Sequence, residues 1–435
     1  MFSLIAHTAG RKTEGNEVSP FQAFCVSTAS RVGVGNIAGI AIAIVTGGPG
    51  AIFWMWFIAV IGSATGFVES TLAQIYKVPR TDGNGFRGGP AYYLRYGLGH
   101  KLWAAIFAIL ISVTYGMIYN SVQSNTIALA LNHALGADRM ITGGVVTVLA
   151  MLVICGGMGR IARVTEWMVP IMAGIYIVVA LGIMLYNITE MPHVIYVILR
   201  DAFDLQAAFG GGMGAAVLTG FKRGLFSNEA GEGSVPNAAA TADATHPVVQ
   251  GLIQAFGVYV DTLFICSASA FIVLLTGDYT STGLTGIELI QWDLAQYFGD
   301  WAPKAVSFLI FLFAFTSLIG NYYYGEINIG HLTQKKWPLN LFRALIAVMI
   351  FWGSMADLPL VWNLADLFMA FMVLTNVTAI LLLFPQARAC LLDYERQLKK
   401  GIRIPIFHRD VLPSTKGVVW WDEENNSNHM KREGK

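Results

Sequence analysis

The segment Ser30-Arg-Val-Gly-Val-Gly-Asn-Ile-Ala-Gly39 sets three glycines, Gly33, Gly35 and Gly39, inside an apolar run that otherwise reads as membrane-spanning. Glycine loosens a helix, and at that depth lipid offers the backbone no hydrogen-bond partner. The freed amides and carbonyls must therefore face protein, a cavity or a bound solute. Whatever fold the chain adopts has to wrap other elements around residues 30–39.

Composition places that segment in a membrane. Hydrophobic residues make up 55% of the chain and charged residues 13%, where ordinary soluble domains carry about a quarter charged residues; the mean hydropathy is +0.56. The expectation is an all-α polytopic membrane protein, with the lipid bilayer as its main partner. A net charge of +1 over 435 residues gives no basic surface of the kind nucleic acid requires. Cys25, Cys155, Cys266 and Cys390 show no C-x-x-C spacing and read as free thiols, three of them in apolar spans.

Apolar runs of about 20 residues fall near 21–45, 51–76, 102–131, 140–156, 166–186, 205–226, 247–276, 304–331, 339–355 and 358–384. The first and sixth are interrupted, one by Gly33-Val-Gly35-Asn36 and the other by Gly210-Gly-Gly-Met-Gly214. Broken spans five apart are the mark of two five-helix repeats related by inversion, with a solute held where the broken helices meet. The organisation expected is an N-terminal segment (1–20), a first repeat (21–186), an outer connector (187–204), a second repeat (205–384) and a partly disordered cytoplasmic tail (385–435). Within the second repeat, Ile287–Phe298 reads as a short amphipathic helix across the outer face, either a lid or a connector. Lys and Arg cluster in alternate loops, including Lys77, Arg80, Arg87, Arg95, Lys101, Arg160, Arg163, Lys335 and Lys336. This places both termini in the cytoplasm of a cell (plasma) membrane protein, and Lys222 and Arg223 at the cytoplasmic end of the sixth span.

The motifs are long enough to compare. Gly35-Asn-Ile-Ala-Gly39, Gly47-Gly-Pro-Gly-Ala-Ile-Phe-Trp-Met-Trp56, Glu69, Gly88-Gly-Pro-Ala-Tyr-Tyr93, Gly220-Phe-Lys-Arg-Gly-Leu-Phe-Ser-Asn-Glu-Ala-Gly-Glu-Gly-Ser234, His246-Pro247 and Asp261-Thr262 together resemble the alanine or glycine:cation symporter family, from about Ser19 to Phe384. The resemblance implies a core like that of the bacterial leucine transporter and sodium- or proton-coupled carriage of a small neutral amino acid. Two departures stand out. Members carry a further apolar helix before the counterpart of Phe21, where only Met1–Pro20 stand here, so that either the helix is absent or the chain starts downstream of the natural start. The residue before Gly35 is often Thr in the family and is Val34 here.

A zwitterion needs donors for its carboxylate and acceptors for its ammonium, and a broken helix supplies both. Val34, Gly35 and Asn36 at the first break, and Gly212 and Gly214 at the second, are the expected substrate contacts. Gln123 and Asn125 belong to the polar run Asn120-Ser-Val-Gln-Ser-Asn125, and either touch the solute or hydrogen-bond neighbouring helices. Asn321 stands where the family often places an aromatic residue, which makes the pocket larger or more polar. Phe313, Thr316 and Ser317 follow i, i+3, i+4 spacing on one helical face; with carbonyls of Ala29 and Val32 they form the Na⁺ shell that the resemblance implies, unless the two hydroxyls merely bond back one turn. Among acidic residues, Asp261 is the candidate for a gating or proton role. Glu69 and Glu326 read as structural partners of basic loops, and Glu229 and Glu232 as a network bracing a cytoplasmic gate. No filter loop, nucleophile–base pair or metal-spaced histidine pair is evident, which argues against a channel or an enzyme. No obligate protein partner is evident.

Overall fold

A computed structural model describes residues 18–80, 85–156, 158–204, 212–277 and 279–421, with side chains described outside 157–166. The first helix, α1 (Pro20–Arg31), starts on a capping box: Ser19 and Gln22 exchange side-chain-to-backbone bonds, and Pro20 occupies the first turn. It stops at Arg31. A short 3₁₀ turn (Val34–Asn36) follows, and the chain resumes as α2 (Ala38–Gly47). Next come α3 (Gly50–Ile75), a two-residue hairpin of β1 (Val78–Pro79) and β2 (Phe86–Arg87), α4 (Pro90–Tyr96), α5 (Lys101–Leu135), α6 (Arg139–Ile154), α7 (Met158–Tyr186) and α8 (Met191–Ala202).

The second half contains α9 (Gly212–Asn228), α10 (Val235–Ala239), α11 (Pro247–Thr276), α12 (Gly286–Phe298), α13 (Ala302–Leu332), α14 (Lys336–Met355) and α15 (Leu358–Lys399). Two long helices contain a wider π-helical stretch, Thr114–Tyr119 in α5 and Val260–Cys266 in α11. Seven of the described helices are long and apolar enough to cross a membrane, and α2 and α6 are shorter apolar helices. Apart from the break at residues 32–37 and turn residues at run ends, every apolar run expected from hydropathy is helical wherever it is described. Their outward faces carry exposed Val178, Leu185, Leu374 and Leu381, the surface that lipid covers.

Close packing of small residues holds the long helices together. α9 and α11 both run along α3. A methyl group on Gly220 of α9 would lie 2.4 Å from the Ala51 carbonyl and 3.1 Å from the Met55 amide, and one on Gly251 of α11 would lie 2.2 Å from Thr71 Oγ1. In the same way α14 meets α5 where Gly353 faces the Ser121 backbone.

Both described ends of the chain meet on one face. Val18 bridges to Ala242 ahead of α1, and the Phe407 amide donates to the Thr245 carbonyl at 3.0 Å. The segment expected to be a partly disordered tail is instead helical to Lys399, and its continuation folds back onto the helix ends. Phe407 and Trp421 are buried, Trp421 Nε1 donates to the Gln74 carbonyl at 2.8 Å, and Lys77 Nζ sits 4.1 Å over the Phe86 ring and 4.7 Å over Trp421. Charge composition alone missed these aromatic anchors. The connector at 187–204 likewise contains α8, and α12 is packed into the fold through Leu289, Ile290 and Gln291.

His246 caps α11, its Nδ1 accepting from the Val248 amide, while Nε2 lies 3.5 Å from Asp393. Burial holds the imidazole below its ordinary pKa although Asp393 opposes this, and the imidazole contact holds the Asp393 carboxyl below the usual carboxylate range. Both native values are lowered, so both groups stabilise the docked tail above their unfolded pKa values and lose that contribution as pH falls. For His246 the loss begins below about 6.5. Hydrogen exchange of residues 400–421, corrected for intrinsic rate, should therefore accelerate between pH 7.5 and 5.5; unchanged protection would contradict the coupling. Gly220→Ala should lower stability by about 1–3 kcal/mol through overpacking, and Gly214→Ala, with open space around it, should not, as read by thermal unfolding in detergent.

Candidate substrate and cation site

The interruption of the first span leaves backbone groups that α5, α11 and α13 satisfy. The Gly33 amide donates to Asn36 Oδ1 at 3.0 Å, the Val34 amide to Gln123 Oε1 at 3.3 Å, and the Asn36 carbonyl accepts from Ser269 Oγ at 2.5 Å. Asn36 Nδ2 then donates to Asp261 Oδ1 at 2.5 Å. Asn36 is wholly buried and uses its amide in both directions, bracing the break and joining it to α11. Gly35 faces Phe226, which would lie 2.8 Å from a methyl group there.

Of the polar run in α5, Gln123 reaches the break and Asn125 does not. Asn125 donates to the Gly353 and Ala356 carbonyls at the end of α14. Asn321 Oδ1 lies 2.8 Å from Ser30 Oγ and its Nδ2 donates to Asn120 Oδ1 at 3.1 Å, so this residue sets the end of α1 beside α5 and α13. Asp261 accepts from Asn36, from Ser227 Oγ at 2.8 Å and from Thr262 Oγ1 at 3.1 Å.

The oxygens expected to hold a cation also converge. Ser317 Oγ lies within hydrogen-bond distance of the carbonyls of Ala29 (3.0 Å), Ser30 (3.2 Å) and Phe313 (3.1 Å). Thr316 Oγ1 donates to the Phe313 and Leu312 carbonyls of its own helix, at 2.9 and 3.1 Å. Val32 is buried at the end of the same turn. Carbonyl and hydroxyl oxygens without a formal charge suit a hard monovalent cation.

The second interruption lies elsewhere than expected. Gly212 and Gly214 sit in the first turn of α9 and are exposed, while Gly210 and Gly211 fall outside the described residues. The helix unwinds at Glu229–Ser234, where Glu229, Gly231 and Gly233 have φ of 55°, 85° and 82°. A run of consecutive glycines is tolerated in a helix, whereas left-handed φ at 229, 231 and 233 is incompatible with one. The cue in the sequence was the alternation Gly231-Glu-Gly233-Ser234 ahead of Pro236.

This turn is tied to the first break. Ser30 Oγ and Ser234 Oγ each donate to Glu229, both at 2.6 Å. Glu69, expected beside basic loops, instead accepts from the Gly231 amide at 3.2 Å and from Asn376 Nδ2 at 2.7 Å, while Tyr93 Oη donates to Asn376. Arg31 is also buried here, donating to the Gln254 carbonyl and side chain, and its charge acts on Glu69, Glu229 and Asp261. Glu326 faces Arg343 at 4.0 Å, a partnership of the structural kind expected.

Lys222 and Arg223, expected at the cytoplasmic end of the sixth span, stand inside α9, seven and six residues ahead of the unwound turn. Arg223 is 4% exposed, pairs with Asp366 and stacks 4.5 Å over Trp362, and Lys222 reaches Asp366 at 3.4 Å. Together with Thr46, Thr285 and Leu358 they line a cavity of about 340 Å³. Thr46 and Leu358 mark the helix ends remote from the face that carries the termini, so the cavity opens on the opposite face. Phe226 and Trp362, with rings 4.9 Å apart, lie between it and Gly35.

The fold is shared with known transporters. The solved structure of MhsT in complex with L-phenylalanine superposes with a TM-score of 0.63 at 15% identity, covering 83% of this chain and 89% of that one. A manganese transporter of Eremococcus coleocola superposes at 0.57 and 12% identity, over 87% of this chain and 82% of that one. These are transporters with the leucine-transporter fold, as the resemblance implied. Among curated proteins, a Bacillus subtilis protein described as a probable sodium/glutamine symporter, GlnT, is 52% identical over 93% of this chain and 84% of its own length. The sodium/alanine symporter AgcS of Methanococcus maripaludis is 38% identical over 86% and 83%. A sodium/proton-dependent alanine carrier protein of Bacillus sp. PS3 is 37% identical over 96% and 98%. The model of the sodium:alanine symporter family matches residues 1–409, and the chain belongs to that family.

Proposed function

We propose that this protein carries a small neutral amino acid into the cell together with Na⁺, by alternating access across the plasma membrane with both termini cytoplasmic. The observation that carries the reading is the shared use of one break. The Ala29 and Ser30 carbonyls at the end of α1 face Ser317, while Val34 and Asn36, four and six residues beyond Ser30, face Gln123 and Asp261. A cation between α1 and α13 and a zwitterion against residues 34–36 would each order the same turn, so each favours the other's binding, and the coupling is reciprocal.

Val34, Gly35, Asn36 and Gln123 are the proposed substrate contacts, with Asn321 supporting them through Ser30. Ala29, Val32, Phe313, Thr316 and Ser317 are the proposed Na⁺ ligands. Asp261 is the brace that transmits movement of α11 to the break. The glycines at 212 and 214 take no part. Access from the cavity side is closed by Phe226, Trp362 and the Arg223–Asp366 pair. Access from the face bearing the termini is closed by the Glu229–Ser234 turn with Glu69 and Asn376. Opening one cover while the other stays shut moves the solute across. Alanine, glycine and glutamine are the substrates to try first, the names of the relatives pointing to alanine and glutamine.

Uptake of these labelled amino acids into proteoliposomes, with and without an inward Na⁺ gradient, tests the proposal. Saturable uptake that collapses without the gradient is expected, and uptake indifferent to Na⁺ would overturn it. Asn36→Ala should abolish uptake with the protein still inserted, because both neighbours of its amide lose their partner. Ser317→Ala, which removes the hydroxyl reaching across to α1, should raise the Na⁺ concentration for half-maximal uptake about tenfold, the equivalent of about 1.4 kcal/mol. Thr316→Ala should raise it as well, by less, since Thr316 bonds within its own helix.

A further inference from the structure

Glu232 is wholly buried in the unwound turn between α9 and α10. Its Oε2 accepts from Tyr115 Oη at 2.6 Å and from Tyr119 Oη at 3.1 Å, whereas its Oε1, equally buried, has no hydrogen-bond partner among the described residues. Both tyrosines stand on the π-helical stretch of α5, a widened turn that often accompanies a functional site.

Among the described residues no cation pairs with this carboxyl. α5 presents the two phenols. α13 presents Tyr324, whose ring centre is 5.4 Å from that of Tyr115. The charges that act on Glu232 most strongly are those of Glu229, on its own turn, and Glu69, on α3. From α1, Arg31 acts on Glu69, Glu229 and Asp261, while from α15 Asp366 acts on Tyr119. An ionised Glu232 would leave one anionic oxygen bare in the interior beside two like charges, at a cost of several kcal/mol. A metal cation at Oε1 would need a shell of several oxygens. A proton needs no room.

We propose that Glu232 is a proton-binding site of the transport cycle, carrying a proton on Oε1 while the Glu229–Ser234 turn is closed and releasing it when the turn opens to water. The proposal rests on the transporter reading above. As the turn opens, the Oε1–H bond breaks, the proton passes to water and the carboxylate is solvated; closure reverses the step, taking up one proton. High pH therefore opposes closure and slows the cycle.

The test combines infrared spectroscopy of the full-length protein with uptake measured against pH. Wild type at neutral pH should show the carbonyl stretch of a protonated carboxylic acid, and Glu232→Gln should lose it. Na⁺-driven uptake, normalised to each protein's own maximum, should fall at alkaline pH by up to tenfold per pH unit in wild type and lose that limb in Glu232→Gln. Removing the phenol donors with Tyr115→Phe and Tyr119→Phe takes away bonds that favour the carboxylate, so the limb should move to higher pH; this pair decides the matter if Glu232→Gln fails to insert. Persistence of the band in Glu232→Gln, a wild-type profile without an alkaline limb, or an unmoved limb in the tyrosine pair would overturn the proposal. So would a Glu232→Gln protein with a changed choice of amino acid and an unchanged pH profile, which would assign Oε1 to the solute's side chain. Failure of wild-type uptake itself would count against the transport reading, and the infrared band would then still judge Glu232.

Discussion

Peptide groups that leave a helix inside a membrane protein must find partners within the protein, and the stretch from Val32 to Ile37 sets that demand here. Each buried donor or acceptor left unmet would cost about 1–3 kcal/mol. The Gly33 amide, the Val34 amide and the Asn36 carbonyl are met by Asn36, Gln123 and Ser269. Those three partners come from the break itself, from α5 and from α11. Satisfying one short turn thus fixes how three helices stand relative to one another, and a solute that replaces any of these bonds acts on all three.

The second interruption follows a different logic. Carboxylates share in holding it: Glu69 takes the Gly231 amide, and Glu229 draws the Ser30 and Ser234 hydroxyls together, while Asn228, Asn237 and Asn376 meet further backbone groups. Glu69, Glu229 and Asp261 are buried within the field of one buried arginine, Arg31, and Glu232 is buried beside two of them. Such an excess of acid is stable only when protons or cations offset it. The first break is thus held by neutral amide and hydroxyl groups, and the second lies among buried acids.

Much of this was legible in the sequence because hydropathy and glycine placement report different things. Apolar runs report the helices, since the cost of an exposed backbone in lipid leaves few alternatives. Gly33-Val-Gly35-Asn36 reported a true break because Asn36 follows the glycines and can satisfy them. Gly210–Gly214 had no such partner, and α9 is already helical at Gly212. Within the polar run of α5, the sequence could not tell which residue faced inward. Gln123 and Asn125 differ by two positions, nearly opposite faces of a helix, and only the placement of α14 decides that Asn125 turns away. Asp366 and Trp362 went unread because their partner, Arg223, lies some 140 residues earlier and is joined to them only by the tertiary fold.

The folded-back segment after α15 bears on where this polypeptide can be cut. Hydropathy falls off after Phe384, which invites trimming there. Such a truncation would bare the Gln74 carbonyl, leave the Lys77 ammonium without its Trp421 ring, and strip Asp393, Tyr394 and Phe407 from around His246. Residues 400–421 are masonry of the face on which they dock rather than trailing rope.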